Sequence, residues 1–163
     1  MPVYLFTFHA YRSWRPDDPR GYVRRKQGVL PPDPEMAGRY DRHAVQATTC
    51  FECTHQRIIV EGARDVCMRR GWRLHAIATD PSHVHALVSW KEASGVCPSK
   101  VVSTLKQVLG YLLARESGIE CRKWFSRGSS QRRVTRHDHF EHLLSQYLPG
   151  HRGIKWSERD GES

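Results

Sequence analysis

The run Trp72-Arg-Leu-His-Ala-Ile-Ala-Thr79-Asp80-Pro81-Ser82-His83-Val-His85-Ala-Leu-Val-Ser-Trp90 decides how the chain folds. Trp72 to Thr79 and Ser82 to Trp90 are two short β-like stretches, and the proline of Asp80-Pro81 supplies the fixed φ of a tight turn between them. The run therefore reads as an antiparallel hairpin. On its second strand Val84, Ala86 and Val88 alternate with His83 and His85, so small apolar residues take one face and both histidines the other. The apolar face is expected to pack on helices, which makes the histidine face the open face of the sheet.

Working outward, Val3 to Tyr11 is rich in β-branched and aromatic residues and reads as an N-terminal strand. From Trp14 to about Arg42 repeated prolines and glycines argue against a continuous helix or a central strand, leaving an irregular insertion over about 14–43. Its Arg24-Arg25-Lys26 is either a solvated surface or a basic flap over a nucleic-acid groove. Between Thr54 and Gly71 the residues Ile58, Ile59, Ala63, Val66 and Cys67 recur at helical spacing, with Thr54 the candidate N-cap. A second helix starts near Ser99 and carries the stripe Val101, Val102, Leu105, Val108, Leu109, Leu112 and Leu113 before Gly118. A fourth strand is expected over Lys123 to Val134, interrupted near Gly128, then a short helix from about Asp138 to Leu148 and a polar tail over about 157–163.

The order β-α-β-β-α-β-α defines an α+β fold of ferredoxin-like type: a βαββαβ antiparallel sheet, two backing helices and a C-terminal helix. At 163 residues it is expected to be one domain. With 39% hydrophobic residues the chain has material for a core, which excludes a disordered basic tail. The net charge of +9 points to a polyanionic partner. No segment approaches the ~18 apolar residues of a membrane span, and Met1-Pro2-Val3 opens without a basic leader, so a cytoplasmic protein with no membrane partner is expected. The five cysteines are odd in number and irregularly spaced, which suits reduced thiols. Cys50-Phe-Glu-Cys53 lacks the second CxxC of a zinc ribbon.

His83 and His85 stand two apart on one strand face, about 7 Å apart at Cα, so both imidazoles can converge on one divalent ion. His137-Asp-His139 with His142 is a rival cluster at a helix start, which capping by Asp138 explains more simply. Arg122, Lys123, Arg127, Arg132, Arg133 and Arg136 form a basic run without an acid, flanked by Trp124 and Phe125. It is expected to supply phosphate contacts and rings on which unpaired bases stack. Lys100 and Lys106 on the second helix are further candidates for contact with nucleic acid.

The strand Leu74–Thr79, the His83-Val-His85 strand, a helix, Trp124-Phe-Ser-Arg-Gly128, a basic strand and a last helix with Tyr147 follow one another in the order of a known family. The chain resembles the single-tyrosine HUH transposases, of the insertion sequence 200 type and the REP-associated tyrosine transposases. The resemblance implies that His83 and His85 bind Mg²⁺ or Mn²⁺ and that Tyr147 attacks single-stranded DNA carrying a hairpin, leaving a 5′-phosphotyrosine and a free 3′-hydroxyl. It implies a bacterial-type, nucleoid-associated protein. The family usually has Gln or Asn four residues after the tyrosine; here His151 stands there, beyond Pro149-Gly150, as the candidate third ligand. Members include dimers, whose tyrosine helix serves the partner's histidines, and monomers acting in cis, and the sequence leaves both open. Two other classes stay in view. A non-catalytic nucleic-acid-binding module would be indifferent to Tyr147→Phe, and a His/Cys metal or redox protein would bind zinc or form a Cys50–Cys53 disulfide.

Overall fold

The computed structural model describes residues 1–19, 21–24 and 28–162, so Arg25 and Lys26 of the suggested basic flap lie outside the described residues. Strand β1 (Val3–His9) is followed by a small hairpin, β2 (Tyr22–Arg24) and β3 (Gly28–Leu30), and by helix α1 (Pro34–Arg42). Helix α2 (Cys53–Arg70) leads into β4 (Arg73–Asp80) and β5 (His83–Ser89), the hairpin expected around Asp80-Pro81. Helix α3 (Pro98–Ser117), strand β6 (Ser130–Val134), helix α4 (His137–His142), and strands β7 (Lys155–Ser157) and β8 (Gly161–Glu162) complete the order.

The main sheet runs β6-β1-β5-β4-β7-β8, antiparallel throughout. Its first four strands have the ferredoxin-like order, in which α2 and α3 cross over and the β5 return lies between β1 and β4. Both helices cover one face. Phe6, Phe8, Ile77, Val84, Ala86 and Val88 meet Ile59, Val60, Ala63, Leu105, Leu109 and Leu113 there in one core. Gly62 lets α2 approach α3, since a Cβ there would stand 2.7 Å from Leu112 Cδ1.

The histidine face differs from expectation: it is covered, not open. Leu5, Ala76, Ala78, Leu87 and Val134 line it and pack under Leu143, Leu144 and Leu148 of the C-terminal helical segment. Leu87 continues the face of His83 and His85 and is fully buried, so the strand has apolar material on both sides and both sides need cover.

The insertion also holds more order than its prolines suggested. Pro34 occupies the first turn of α1, where it lacks no needed hydrogen bond, and the Asp33 carboxylate accepts from Met36 N at 2.9 Å as the N-cap. The N-caps of the long helices each shift by two residues, from Thr54 to Glu52 with His55 and from Ser99 to Cys97 before Pro98, while Gly71 and Gly118 end them in the left-handed conformation. The fourth strand keeps only Ser130–Val134, and near Phe125 a single bridge to Ala10 remains.

Part of the expected polar tail joins the sheet, since β8 pairs with β7 through Trp156–Glu162 and Ser157–Gly161. β7 pairs with β4, placing Ala76 opposite Ser157 and Ala78 opposite Lys155, and Trp156 packs against the main core. A buried polar junction secures it. Gln56 Oε1 accepts from Ile154 N at 3.0 Å and lies 3.0 Å from the Thr79 hydroxyl, while Thr79 N donates to the Ile154 carbonyl at 3.1 Å. Gly153 sits so close to this junction that a Cβ would lie 2.1 Å from the Thr79 carbonyl oxygen. Backbone cannot retreat as a flexible side chain can, so Gly153→Ala is expected to destabilise the fold by about 2 kcal/mol and to detach β7. Urea unfolding and amide exchange at Thr79 check this; unchanged protection at Thr79 would refute it.

Candidate active site

Strand register assembles the site. Thr7 lies opposite His85 and His9 opposite His83 across β1–β5, and Asp80 lies opposite His83 across β5–β4, so all share one face. The ring of His85 is 5% exposed, and its Nδ1 is 2.7 Å from the Thr7 hydroxyl. With the proton on Nδ1 and donated to Thr7, the Nε2 lone pair points to the Tyr147 hydroxyl, 3.3 Å away. His83 Nδ1 lies 2.9 Å from the Ser82 hydroxyl, and its Nε2 lies 3.7 Å from Asp80 Oδ2.

The C-terminal segment brings the other half. After α4 the helix widens into a single π turn, Leu143–Tyr147, marked by the Leu148 N to Leu143 O hydrogen bond of 3.0 Å. Leu143, Leu144 and Leu148 are buried beneath it, and Tyr147, 40% exposed, sits over His85 with ring centroids 5.3 Å apart. Pro149-Gly150 then ends the helix, as expected. The chain nevertheless curls back, and His151 reaches a ring-centroid distance of 5.1 Å from Tyr147 and 4.6 Å from His85. His151 Nδ1 is 2.9 Å from the Tyr147 carbonyl, which can only accept, so Nδ1 is the donor and the neutral ring offers its lone pair at Nε2.

Ring nitrogens of His83, His85 and His151 all lie within 4.8 Å of one another, the one such set of metal-binding character among the described residues. His137 and His139 do not join it, and Asp138 pairs with Arg136 at 2.6 Å instead of capping α4. The donor set fits a divalent cation that accepts imidazole, such as Mn²⁺, better than Mg²⁺, which prefers oxygen ligands. Asp80 supplies the nearby carboxylate. Burial, with His83, His151 and His9 adding to it, pushes the His85 pKa down to about 3, so this ring is neutral and ready to ligate at physiological pH. Burial raises the Tyr147 pKa, and Arg132 opposes that rise, so the phenol is protonated at neutral pH. An open cleft of about 510 Å³ adjoins these groups, lined by Asp80, His83, Tyr147, His151 and Arg152 among others.

The basic run is divided rather than continuous. On β6, Arg132 lies opposite Leu5 on the histidine face, while Arg133 lies opposite Tyr4 on the other. Arg127 and Lys123 are exposed, and Arg136 is held by Asp138. Trp124, expected to stack on bases, is 3% exposed, enclosed by His55 at 4.9 Å and the Arg122 guanidinium at 4.7 Å. Its ring serves the core, as does Phe125 against Phe8 and Phe51. Lys106, a candidate for contact with nucleic acid, is also committed elsewhere: its ammonium donates to the carbonyls of Ser126 at 2.6 Å and Gly128 at 2.9 Å. Lys100 stays exposed on the first turn of α3. The cysteines are unpaired, and burial pushes the Cys67 thiol up to about 12.

Thr7, Asp80 and Arg152 belong to the site and were not singled out from sequence. Strand alternation was a signal for Thr7 once β1 and β5 are paired, but nothing local marks Arg152. No helix among the described residues is long and apolar enough to cross a membrane.

No protein-family model matches the sequence, and no curated protein matches it. Among solved structures, the fold is shared with a REP-associated tyrosine transposase bound to a REP hairpin, at TM-score 0.51 and 10% identity over 88% of this chain. The present chain spans 62% of the length of that one. A protein provisionally assigned as a transposase, from Deinococcus radiodurans, superposes at TM-score 0.48 and 12% identity, covering 94% of this chain and 93% of its own.

The buried neutral His85 makes stability depend on pH. In metal-free protein the unfolded ring titrates near 6.5 and the folded one near 3, so the unfolded state binds more protons between these values. Stability is full above pH 6.5 and falls as the pH drops towards 3, by about 2 kcal/mol at pH 5 from this ring. Urea unfolding in chelator at pH 7 and pH 5 checks it, with His85→Gln expected to flatten the difference.

Proposed function

We propose that the chain is a metal-dependent nuclease and strand transferase for single-stranded DNA, of the single-tyrosine HUH transposase type. The observation that carries this reading is the Tyr147 hydroxyl 3.3 Å from His85 Nε2, beside three imidazoles gathered within one chain. A tyrosine placed against a metal-binding set and an open cleft suits attack on a phosphodiester.

His83, His85 and His151 would hold the cation, with Thr7 and the Tyr147 carbonyl orienting two of the rings. A divalent ion bound there would supply Lewis acidity, polarising the scissile phosphate and stabilising the charge that builds on it. The Tyr147 oxygen bonds to phosphorus, the bond to the 3′-oxygen breaks, the phenol proton goes to solvent and the departing oxygen takes one up. The product is a 5′-phosphotyrosine with a free 3′-hydroxyl. The new bond retains the energy of the phosphodiester, so another 3′-hydroxyl can reverse the step and join strands without a nucleotide cofactor. Arg132, whose charge favours the phenolate, lies on the same face.

The hairpin-bound state of the solved transposase supports hairpin-bearing DNA as the substrate class. Exposed Lys100, Lys123, Arg127 and Arg133 supply cations for its backbone, so affinity is expected to fall steeply with salt. A cytoplasmic, nucleoid-associated setting follows from that substrate.

Incubating the protein with single-stranded hairpin DNA and Mn²⁺ is expected to yield a DNA adduct that survives denaturation. Tyr147→Phe abolishes it, and His85→Ala reduces its rate by on the order of 100-fold or more. Binding of hairpin DNA without any adduct would favour a non-catalytic binding module instead.

A further inference from the structure

The cleft beside Tyr147 contains a cation with no part yet in this chemistry. Arg152 lines it with Asp80, His83, Tyr147 and His151. Its backbone is anchored on both sides. His151 is tied to the Tyr147 carbonyl at 2.9 Å, Gly153 sits where a Cβ would lie 2.1 Å from the Thr79 carbonyl oxygen, and the Lys155 ammonium donates to the carbonyls of Pro149 and His151 at 3.2 and 3.0 Å.

The Arg152 side chain, by contrast, is exposed and makes no hydrogen bond or ion pair among the described residues. Most other arginines near acids are committed: Arg12 and Arg15 share Asp41, Arg73 meets Glu158, and Arg159 meets Glu141. Asp80, the acid in the same cleft, lies by His83 at 3.7 Å, and Lys155 is taken up by carbonyls. An anchored backbone presenting an uncommitted guanidinium next to a tyrosine and three imidazoles suits a planar, two-pronged grip on an anion.

We propose that Arg152 binds the non-bridging oxygens of the scissile phosphodiester and stabilises the charge that develops on them as Tyr147 attacks. This rests on the strand-transferase reading and names a further catalytic residue within it. Arg152 keeps its proton throughout: the bond from Tyr147 to phosphorus forms, the bond to the 3′-oxygen breaks, and the guanidinium acts by hydrogen bonds and charge alone.

Two measurements test it. In the first, adduct formation on single-stranded hairpin DNA with Mn²⁺ is timed for the wild type, Arg152→Ala and Arg152→Lys. Arg152→Ala is expected to be on the order of 100-fold slower, with Mn²⁺ affinity and unfolding midpoint unchanged. Arg152→Lys recovers part of the rate, and added guanidinium ion rescues the alanine variant. In the second, the Arg152 Nε–H resonance, assigned by its loss in Arg152→Lys, is followed in metal-free Tyr147→Phe protein. It is expected to shift with a short oligothymidylate and not with the uncharged methylphosphonate analogue. An alanine variant within about threefold of the wild-type rate would overturn the proposal, as would a rate loss that tracks lost Mn²⁺ affinity, which would make Arg152 a support for His151. No adduct from the wild type would overturn the strand-transferase reading, whereas a resonance unmoved by the charged oligonucleotide would overturn the arginine assignment separately.

Discussion

Leu143, Leu144 and Leu148 pressed onto Leu5, Leu87 and Val134 form the contact on which the site depends. Without this second core the histidine strand would still form, since β1, β4 and β5 pair through the backbone and pack on α2 and α3. Tyr147 and His151, however, would have nothing to hold them over it. Each buried leucine is worth about 1.5–3 kcal/mol, enough for three to hold a short helical segment that has little stability alone. The π turn adjusts the phase, keeping Leu143 and Leu148 buried while Tyr147 stays half-exposed over His85. The edge strand β7 then closes the return, so the segment carrying both residues is pinned at each end.

Much of this frame was legible in the sequence because it rests on short-range periodicity. The β4–β5 hairpin, the long helices ending at Gly71 and Gly118, and the shared face of His83 and His85 all follow from alternation, helical spacing and turn chemistry. The covered histidine face is written there too, in Leu5 and Leu87, apolar residues that share the face of His83 and His85. Trp156, just before the tail, likewise marks this end of the chain as one that packs, since a large aromatic ring left in a solvated segment would face water. The place of His151 was harder to read. Pro149-Gly150 ends the helix, and only the Gln56–Thr79–Ile154 junction, made by residues far apart in sequence, turns the chain back to the site.

Charge was the least legible feature, because composition does not say which cations are already engaged. Lys106 lies on a helix surface in the sequence and on two loop carbonyls in the fold. Trp124 sits inside a basic run and yet belongs to the core. Arg132 and Arg133 are neighbours in sequence but face opposite sides of the sheet, so only Arg132 is placed to influence Tyr147. The cations left free for the proposed nucleic-acid contact are fewer and more scattered than the run suggested.

In the proposed site one chain gathers three imidazoles that would share a single divalent ion next to its own tyrosine. Pulsed electron paramagnetic resonance of the Mn²⁺-loaded protein tests it most directly, because nitrogen couplings count the coordinated rings. Coupling from three histidine nitrogens is expected in the intact protein and from two in His151→Ala. Mn²⁺ with no nitrogen coupling, or with a pattern unchanged by His151→Ala, would contradict it.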